Sequence, residues 1–302
     1  MLKELSILIP TFNGKCAGLV KQLKKQADDI ARSEGGKGLS YEIIVADDGS
    51  TDTDVINHNK EIDTLDNCRY ILCGHNRGRA AIRNLLAQTA AYSHLLFMDS
   101  HMSLDNDRFI ENYLALDDAD VAYGGYTIGG DADSLKHNLR YIYEKRYAMN
   151  HKAEIRALNP YNDFHTGNFF TRRDIMLRFP FDERFRRYGY EDVLWGKTLR
   201  NNAIAITHID NPLMFDRFET NARFTQKTEE GIDTLYTFRE ELDGYSNLIT
   251  LGKKITALHL NPLADMIYRT LGKRIKNNIS GNKPSLSLFY LYKIIVYARR
   301  KT

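Results

Sequence analysis

YEIIVADDGS, Tyr41 to Ser50, decides the architecture: an apolar run of strand length ends in two acids, a glycine and a serine. The residues that follow, TDTDVINHNKEI, open with side chains able to cap a helix, so the unit reads as strand, polar tip, helix. Working outward, the same unit recurs. LSILIP (Leu5–Pro10) is a buried strand, followed to about Arg32 by helical spacing in Leu19, Leu23, Ala27 and Ile30 and closed by the glycine-rich SEGGKG. CRYILC (Cys68–Cys73) precedes the helical GRAAIRNLLAQTAA (Gly78–Ala91), and SHLLFMD (Ser93–Asp99) is a fourth strand. Strands joined by helical crossovers predict an α/β protein with a Rossmann-like, mostly parallel central sheet flanked by helices. Such sheets bind ligands beyond the carboxyl ends of their strands. Those ends are polar in every unit: Pro10-Thr11-Phe12-Asn13, Asp47-Asp48-Gly49-Ser50, Asn76-Arg77-Gly78 and Asp99-Ser100-His101.

Bulk properties exclude several classes. At 302 residues the chain can bury a sizeable core, and a net charge of +3 gives no strong attraction to polyanions, so nucleic acid is not expected as a partner. The cysteines, Cys16, Cys68 and Cys73, lack the paired spacing of a zinc ribbon and suit a reducing compartment, which points to a cytoplasmic location. The apolar start is too short for a secretory h-region and is interrupted by Pro10. LSLFYLYKIIVYA (Leu286–Ala298) is shorter than a bilayer span and contains Lys293, so no membrane crossing is expected.

ILIPTFNG, EIIVADDGSTD, NRGRAAIRN and LLFMDSH, in this order and spacing, resemble the nucleotide-binding half of inverting family 2 glycosyltransferases of the GT-A fold. The resemblance implies that Pro10, Thr11, Asn13 and Asp48 face the nucleoside of a nucleotide-diphosphate sugar, that Arg83 lies near the nucleotide, and that Asp99 grips the ribose and a divalent cation. Asp48 suits a uracil, because a carboxylate is a strong acceptor for an imide N–H. His101 stands where the family pattern D-x-D has its second acid. The resulting D-x-H is similar to the motif of polypeptide N-acetylgalactosaminyltransferases, which use manganese. Alternate residues of an extended strand end project to one side, so Asp99 and His101 can share an ion, and an imidazole favours Mn²⁺ over Mg²⁺. The third ligand is expected at Asp216, in the segment where relatives often carry a histidine.

Beyond residue 102 the resemblance is carried by two further segments. Thr166-Gly167-Asn168, followed by aromatics, is similar to the segment lining the donor sugar, which assigns Gly167 and Asn168 to the donor site. RFRRYGYEDVLWGKTLRNN (Arg184–Asn202) resembles the W-G-G-E-D motif and its helix. It implies that Asp192 is the general base of inverting transfer, with Glu191 bonding the sugar or acceptor.

These readings predict a catalytic domain over 1–250, divided into a nucleotide-binding half (1–102) and an acceptor half (103–250), with a basic amphipathic helical segment over 251–302. In that last segment Lys and Arg, from Lys253 to Lys301, are interleaved with apolar residues and one acid, Asp265. Two accounts of it stay open: a peripheral contact with anionic lipid on the inner membrane face, or a helical pair packed on the domain. The expected activity is transfer of a sugar, from a donor expected to be UDP-based, to a saccharide or lipid-linked acceptor in polysaccharide or glycoconjugate synthesis at the cell envelope. A sugar nucleotidyltransferase and a non-catalytic nucleotide- or carbohydrate-binding protein are the alternatives. The sequence leaves open which sugar, acceptor and linkage are used.

Overall fold

The computed structural model describes residues 1–35 and 38–300; Lys301 and the centre of the SEGGKG break lie outside the described residues. The first hundred residues run β1 (Glu4–Thr11), α1 (Ala17–Arg32), β2 (Ser40–Asp47), α2 (Thr53–Asn59), β3 (Cys68–Leu72), α3 (Arg79–Thr89) and β4 (His94–Met98). Each expected strand is present to within two residues. The chain continues through α4 (Phe109–Leu114), β5 (Val121–Tyr123), β6 (Tyr126–Ile128), α5 (Ala132–Leu135), α6 (Leu139–Tyr147) and α7 (Ala153–Arg156). After these come β7 (Asn168–Arg172), α8 (Arg173–Arg178), α9 (Glu191–Asn201), β8 (Ile206–His208) and β9 (Leu213–Phe215). Four helices close the chain: α10 (Asn221–Thr237), α11 (Asn247–Ala257), α12 (Asn261–Ile279) and α13 (Leu286–Ala298).

The central sheet has seven strands in the order β3-β2-β1-β4-β7-β5-β8. All neighbours are parallel except β7, which runs antiparallel to both β4 and β5. The strand order leaves β1 and β4 side by side at the centre, so Thr11 and Asp99 emerge at the same end of the sheet. A parallel pair, β6 and β9, forms a second small sheet. One core covers each face of the main sheet. Leu5, Ile7 and Ile9 belong to the first, with α1 and α4, and Leu8, Phe97, Phe169 and Trp195 to the second, with α3 and α9. Near-continuous apolar strands are what a sheet buried on both faces requires.

A third core joins α10, α11, α12 and α13 through Phe224, Ile232, Leu235, Ile249, Ile279, Phe289, Tyr292 and Ile295. The boundary expected at residue 250 therefore falls inside α11, and the core runs across it. For α13 the packed account holds, with Phe289, Tyr292, Ile295, Val296 and Tyr297 all buried. No helix among the described residues is long and apolar enough to cross a membrane.

Candidate active site

A cleft of about 940 Å³ opens beyond the end of β4, lined by Asp99, His101, the segment His165 to Asn168, the start of α9, and side chains of α6, α10 and α13. A second hollow of about 760 Å³, along α1 and residues 104–107, contains none of the strand-tip residues. The residues expected at the nucleoside lie at the ends of β1 and β2, and their side chains are largely committed to bonds within the strand-end loops. Asp48 accepts from the backbone N–H groups of Arg77 (2.7 Å) and Gly78 (2.9 Å), and burial raises its carboxyl above the ordinary value. The turn needs Gly49: its φ is +78°, and a Cβ there would lie 2.5 Å from the His75 carbonyl carbon. Thr11 is buried and donates to the Gly14 carbonyl, while the Asn13 side-chain oxygen accepts from the N–H groups of Thr51 and Asp52. Asn13 thus clamps two strand-end loops together. Pro10, half-buried, completes the same edge.

Asp99 is the meeting point of a closed ion cluster. Its Oδ1 lies 2.6 Å from Arg83 Nη2 and its Oδ2 3.5 Å from Arg79 Nη2. Arg79 Nε in turn lies 2.8 Å from Glu191 Oε1, which is also 3.8 Å from Arg83. Burial works to raise the Asp99 carboxyl, but the two guanidinium groups hold it below the ordinary value. Arg83 and Glu191 are almost fully buried. Arg83 therefore acts on Asp99, and its own Nε has no partner in the structure. Glu191, expected to bond sugar or acceptor, lines the cleft and is bound by Arg79, a contact that ties α9 to α3. Arg79 is a functional residue the sequence reading did not single out, although its i, i+4 spacing from Arg83 puts both on one face of α3.

Asp192, the next residue, has the opposite setting. The first turn of α9 follows Tyr190, whose φ of +71° is left-handed, a conformation that costs a non-glycine residue roughly 1–2 kcal/mol. Gly189-Tyr190 occupies the place of the two glycines in the motif that this segment resembles. That turn aims the Asp192 carboxylate into the cleft. Oδ1 accepts from the N–H of Val193 and Oδ2 from Nδ1–H of His165 at 3.3 Å. Burial works to raise the Asp192 carboxyl, yet the His165 hydrogen bond and charge, with Arg79, hold it below its ordinary value. His165 moves the opposite way, upward against its own desolvation, because of Asp192. It too was missed; a histidine just ahead of Thr166-Gly167 carries no local sign that its partner lies 27 residues on.

Behind α9, Trp195 packs on Phe164, Phe169 and Phe181 and donates to the Phe179 carbonyl at 2.7 Å. Gly196 lets the helix approach, since a Cβ there would lie 2.4 Å from the Tyr161 carbonyl oxygen. Asn168, assigned to the donor sugar, is fully buried. Its amide donates to the Gly125 and Asn211 carbonyls, and its oxygen accepts from Tyr113. It holds the sheet edge together. Gly167 and Asn168 both line the cleft, and the Gly167 carbonyl accepts from the N–H of Asp99. The neighbouring Thr166 hydroxyl is buried without a partner.

Two side chains of metal-donor type stand at the end of β4, although both Asp99 oxygens are paired with Arg83 and Arg79. Asp99 and His101 both line the cleft, and desolvation holds the His101 imidazole below its ordinary value, which favours the neutral, ligating form. Asp216 does not join them. Its Oδ2 accepts from Ser103 Oγ at 2.8 Å, its other oxygen is buried, and the described residues contain no group of three potential ligands. The turn after β9 carries the Asp216 side chain toward Ser103 and the backbone of Gly129.

The sequence profile of glycosyl transferase family 2 matches residues 6–178, more than half of the chain. The chain belongs to glycosyl transferase family 2. An uncharacterized glycosyltransferase of Haemophilus influenzae is 27% identical over 127 residues, 40% of this chain and 46% of that protein, so the chain matches about half the length of this relative. Among solved structures, S. aureus TarS 1–349 in complex with UDP-GlcNAc superposes with a TM-score of 0.53 at 17% identity, covering 98% of this chain and 89% of that one. The mannosyltransferase PcManGT from Pyrobaculum calidifontis, in complex with GDP-Man and Mn²⁺, gives 0.50 at 13% identity, covering 97% and 84%. These likenesses establish the GT-A fold, and the family is one of glycosyltransferases.

Proposed function

We propose that this glycosyltransferase moves a sugar from a UDP-sugar to a hydroxyl of a saccharide or lipid-linked saccharide with inversion, in envelope polysaccharide or glycoconjugate synthesis. One observation carries the reading: an ionised carboxylate, Asp192, faces the cleft that Asp99 reaches from the nucleotide half. The acceptor oxygen attacks the anomeric carbon from the face opposite the diphosphate. Its proton passes to Asp192 Oδ2, the new C–O bond forms, and the old bond breaks with its electron pair on the departing UDP. His165 orients the base, and the Thr166 hydroxyl is free to bond the donor sugar. Asp99 and His101 would hold a divalent cation, Mn²⁺ rather than Mg²⁺, and when bound it supplies positive charge beside the leaving diphosphate. The UDP-GlcNAc complex of TarS and the GDP-Man and Mn²⁺ complex of PcManGT support this choice of donor class and metal. A reducing, cytoplasmic setting agrees with the free thiols of Cys16, Cys68 and Cys73.

The test is a nucleotide-sugar panel with and without Mn²⁺, read as nucleotide diphosphate released. UDP release from one UDP-sugar, dependent on Mn²⁺, is expected; His101→Ala should weaken UDP binding with Mn²⁺ present and leave it unchanged without. Release of no nucleotide diphosphate from any donor would remove the reading.

A peripheral membrane contact, if placed by exposure, belongs at the turn joining α11 and α12. Leu258, Leu260, Leu263 and Met266 are all more than 40% exposed there, flanked by Lys253, Lys254 and Arg269. Lys253 is paired with Asp243 and Arg269 with Asp265, so the exposed apolar side chains, more than the charge, suit a lipid surface. Leu258→Glu with Met266→Glu should abolish sedimentation with phosphatidylglycerol vesicles while transfer to a soluble acceptor continues. Equal sedimentation of the double variant would rule this surface out.

A further inference from the structure

The last helix helps to build the catalytic cleft. α13 is packed against α10, α11, α12 and α6, yet it presents Phe289 and Lys293 to the same cavity that contains Asp99 and Asp192. The Lys293 ammonium lies 5.4 Å from the ring centres of Tyr143 and Phe289 and 5.9 Å from that of Tyr290. The two cations nearest to it along this wall have carboxylate partners. Arg140 is 2.6 Å from Glu144, and Lys227 is 3.0 Å from Glu219. Among the described residues no carboxylate lies within ion-pair distance of Lys293.

Arg140 is its charged neighbour. The Arg140 guanidinium lies 5.0 Å from the Phe224 ring centre, Phe224 stacks on Phe289 at 5.2 Å, and Lys293 sits over Phe289. Arg140 Nε is itself buried without an acceptor. Desolvation, and then the positive charge of Arg140, hold the Lys293 ammonium below the ordinary lysine value. Two cations thus share a desolvated aromatic wall with one carboxylate between them, and both keep N–H groups that no protein acceptor meets. Ring faces attract a cation but do not accept its hydrogen bonds as an oxyanion does. An entering oxyanion would supply the acceptor that the Lys293 ammonium lacks.

We infer that Lys293 and Arg140 form an oxyanion subsite for the acceptor, so that the hydroxyl presented to Asp192 belongs to a saccharide carrying a phosphate or a carboxylate. The inference rests on the reading of this cleft as the site of sugar transfer. It also gives the C-terminal helix a role beyond packing: acceptor selection.

Binding of glucose 6-phosphate, glucuronate and glucose to the full chain is the direct test, measured by calorimetry with and without saturating UDP and Mn²⁺ so that the donor phosphate site can be filled. The charged sugars should bind at least about tenfold more tightly than glucose, the size of one charge-assisted hydrogen bond. Lys293→Met should remove that preference and leave UDP affinity unchanged, and Lys293→Arg should keep it. Glucose 6-phosphate against glucuronate decides which oxyanion the site prefers. Equal binding of all three sugars by the unaltered protein, or a preference that survives Lys293→Met, would overturn the subsite. Failure of UDP to bind at all would instead overturn the donor reading and leave the sugar comparison without UDP to judge the subsite.

Discussion

Glu191 and Asp192 are neighbours in sequence and opposites in setting. Both line the same cleft, but Glu191 is almost fully buried and held by Arg79 and Arg83 beside Asp99, whereas Asp192 is the more exposed of the two and has His165 as its partner. Successive residues of a helix point about 100° apart, so the first turn of α9 sends one acid into the frame and the next toward substrate. Two adjacent carboxylates thus differ in role, one holding the site together and the other working in it, and rotation about one helix decides which. It also separates the two sets of consequences: changes to the cluster should act on stability and donor binding, changes to the open pair on rate and its pH dependence.

The largest stability effect is expected for Arg83→Met. It leaves Asp99 and Glu191 with Arg79 as their main cation in a buried site, and breaking a buried pair from one side costs about 3–5 kcal/mol. Denaturant unfolding measures it. A loss below 1 kcal/mol would mean that the cluster is not the frame described. His165→Ala should act on pH dependence. Asp192 is held below its ordinary value by His165, so activity that needs its ionised form is present above that lowered value and is lost only as pH falls through it. Without the hydrogen bond and charge of His165 the carboxyl rises, and the acid limb of kcat/KM should move to higher pH while the unfolding midpoint changes little. An unmoved acid limb would detach His165 from the base.

Much of the nucleotide half was legible because its signals are local. Each strand announces itself as an apolar run ending in polar residues, and the polar tips fall at one end of a parallel sheet by topology alone. Asp99 and Asp192 could be placed for the same reason, one at a strand tip and one in a helix's first turn. What stayed hidden depends on partners distant in sequence. Arg79 meets Glu191 across 112 residues, and Asn168 spends its amide on the Gly125 and Asn211 carbonyls. Asn13 and Asp48 likewise bind backbone groups, a use that a polar residue at a strand tip does not reveal. Asp216 was misplaced because residue type and segment order do not say which way a turn directs a side chain; Ser103, 113 residues earlier, accounts for its position. The charge pattern of the last helices was visible, but not that Lys293 points inward.

The central claim is the division of labour between the two adjacent acids, and the most direct measurement compares Asp192→Asn with Glu191→Gln for turnover, UDP affinity and unfolding midpoint in the same preparations. Asp192→Asn should lower turnover by roughly 10²–10⁴ and leave UDP affinity and the midpoint unchanged, as expected for loss of a general base. Glu191→Gln should lower the midpoint and UDP affinity together through Arg79 and Asp99, with the smaller loss in turnover. If Asp192→Asn transferred sugar at the original rate, or if Glu191→Gln abolished turnover in a protein of unchanged stability and UDP affinity, the assignment of base and frame would be contradicted.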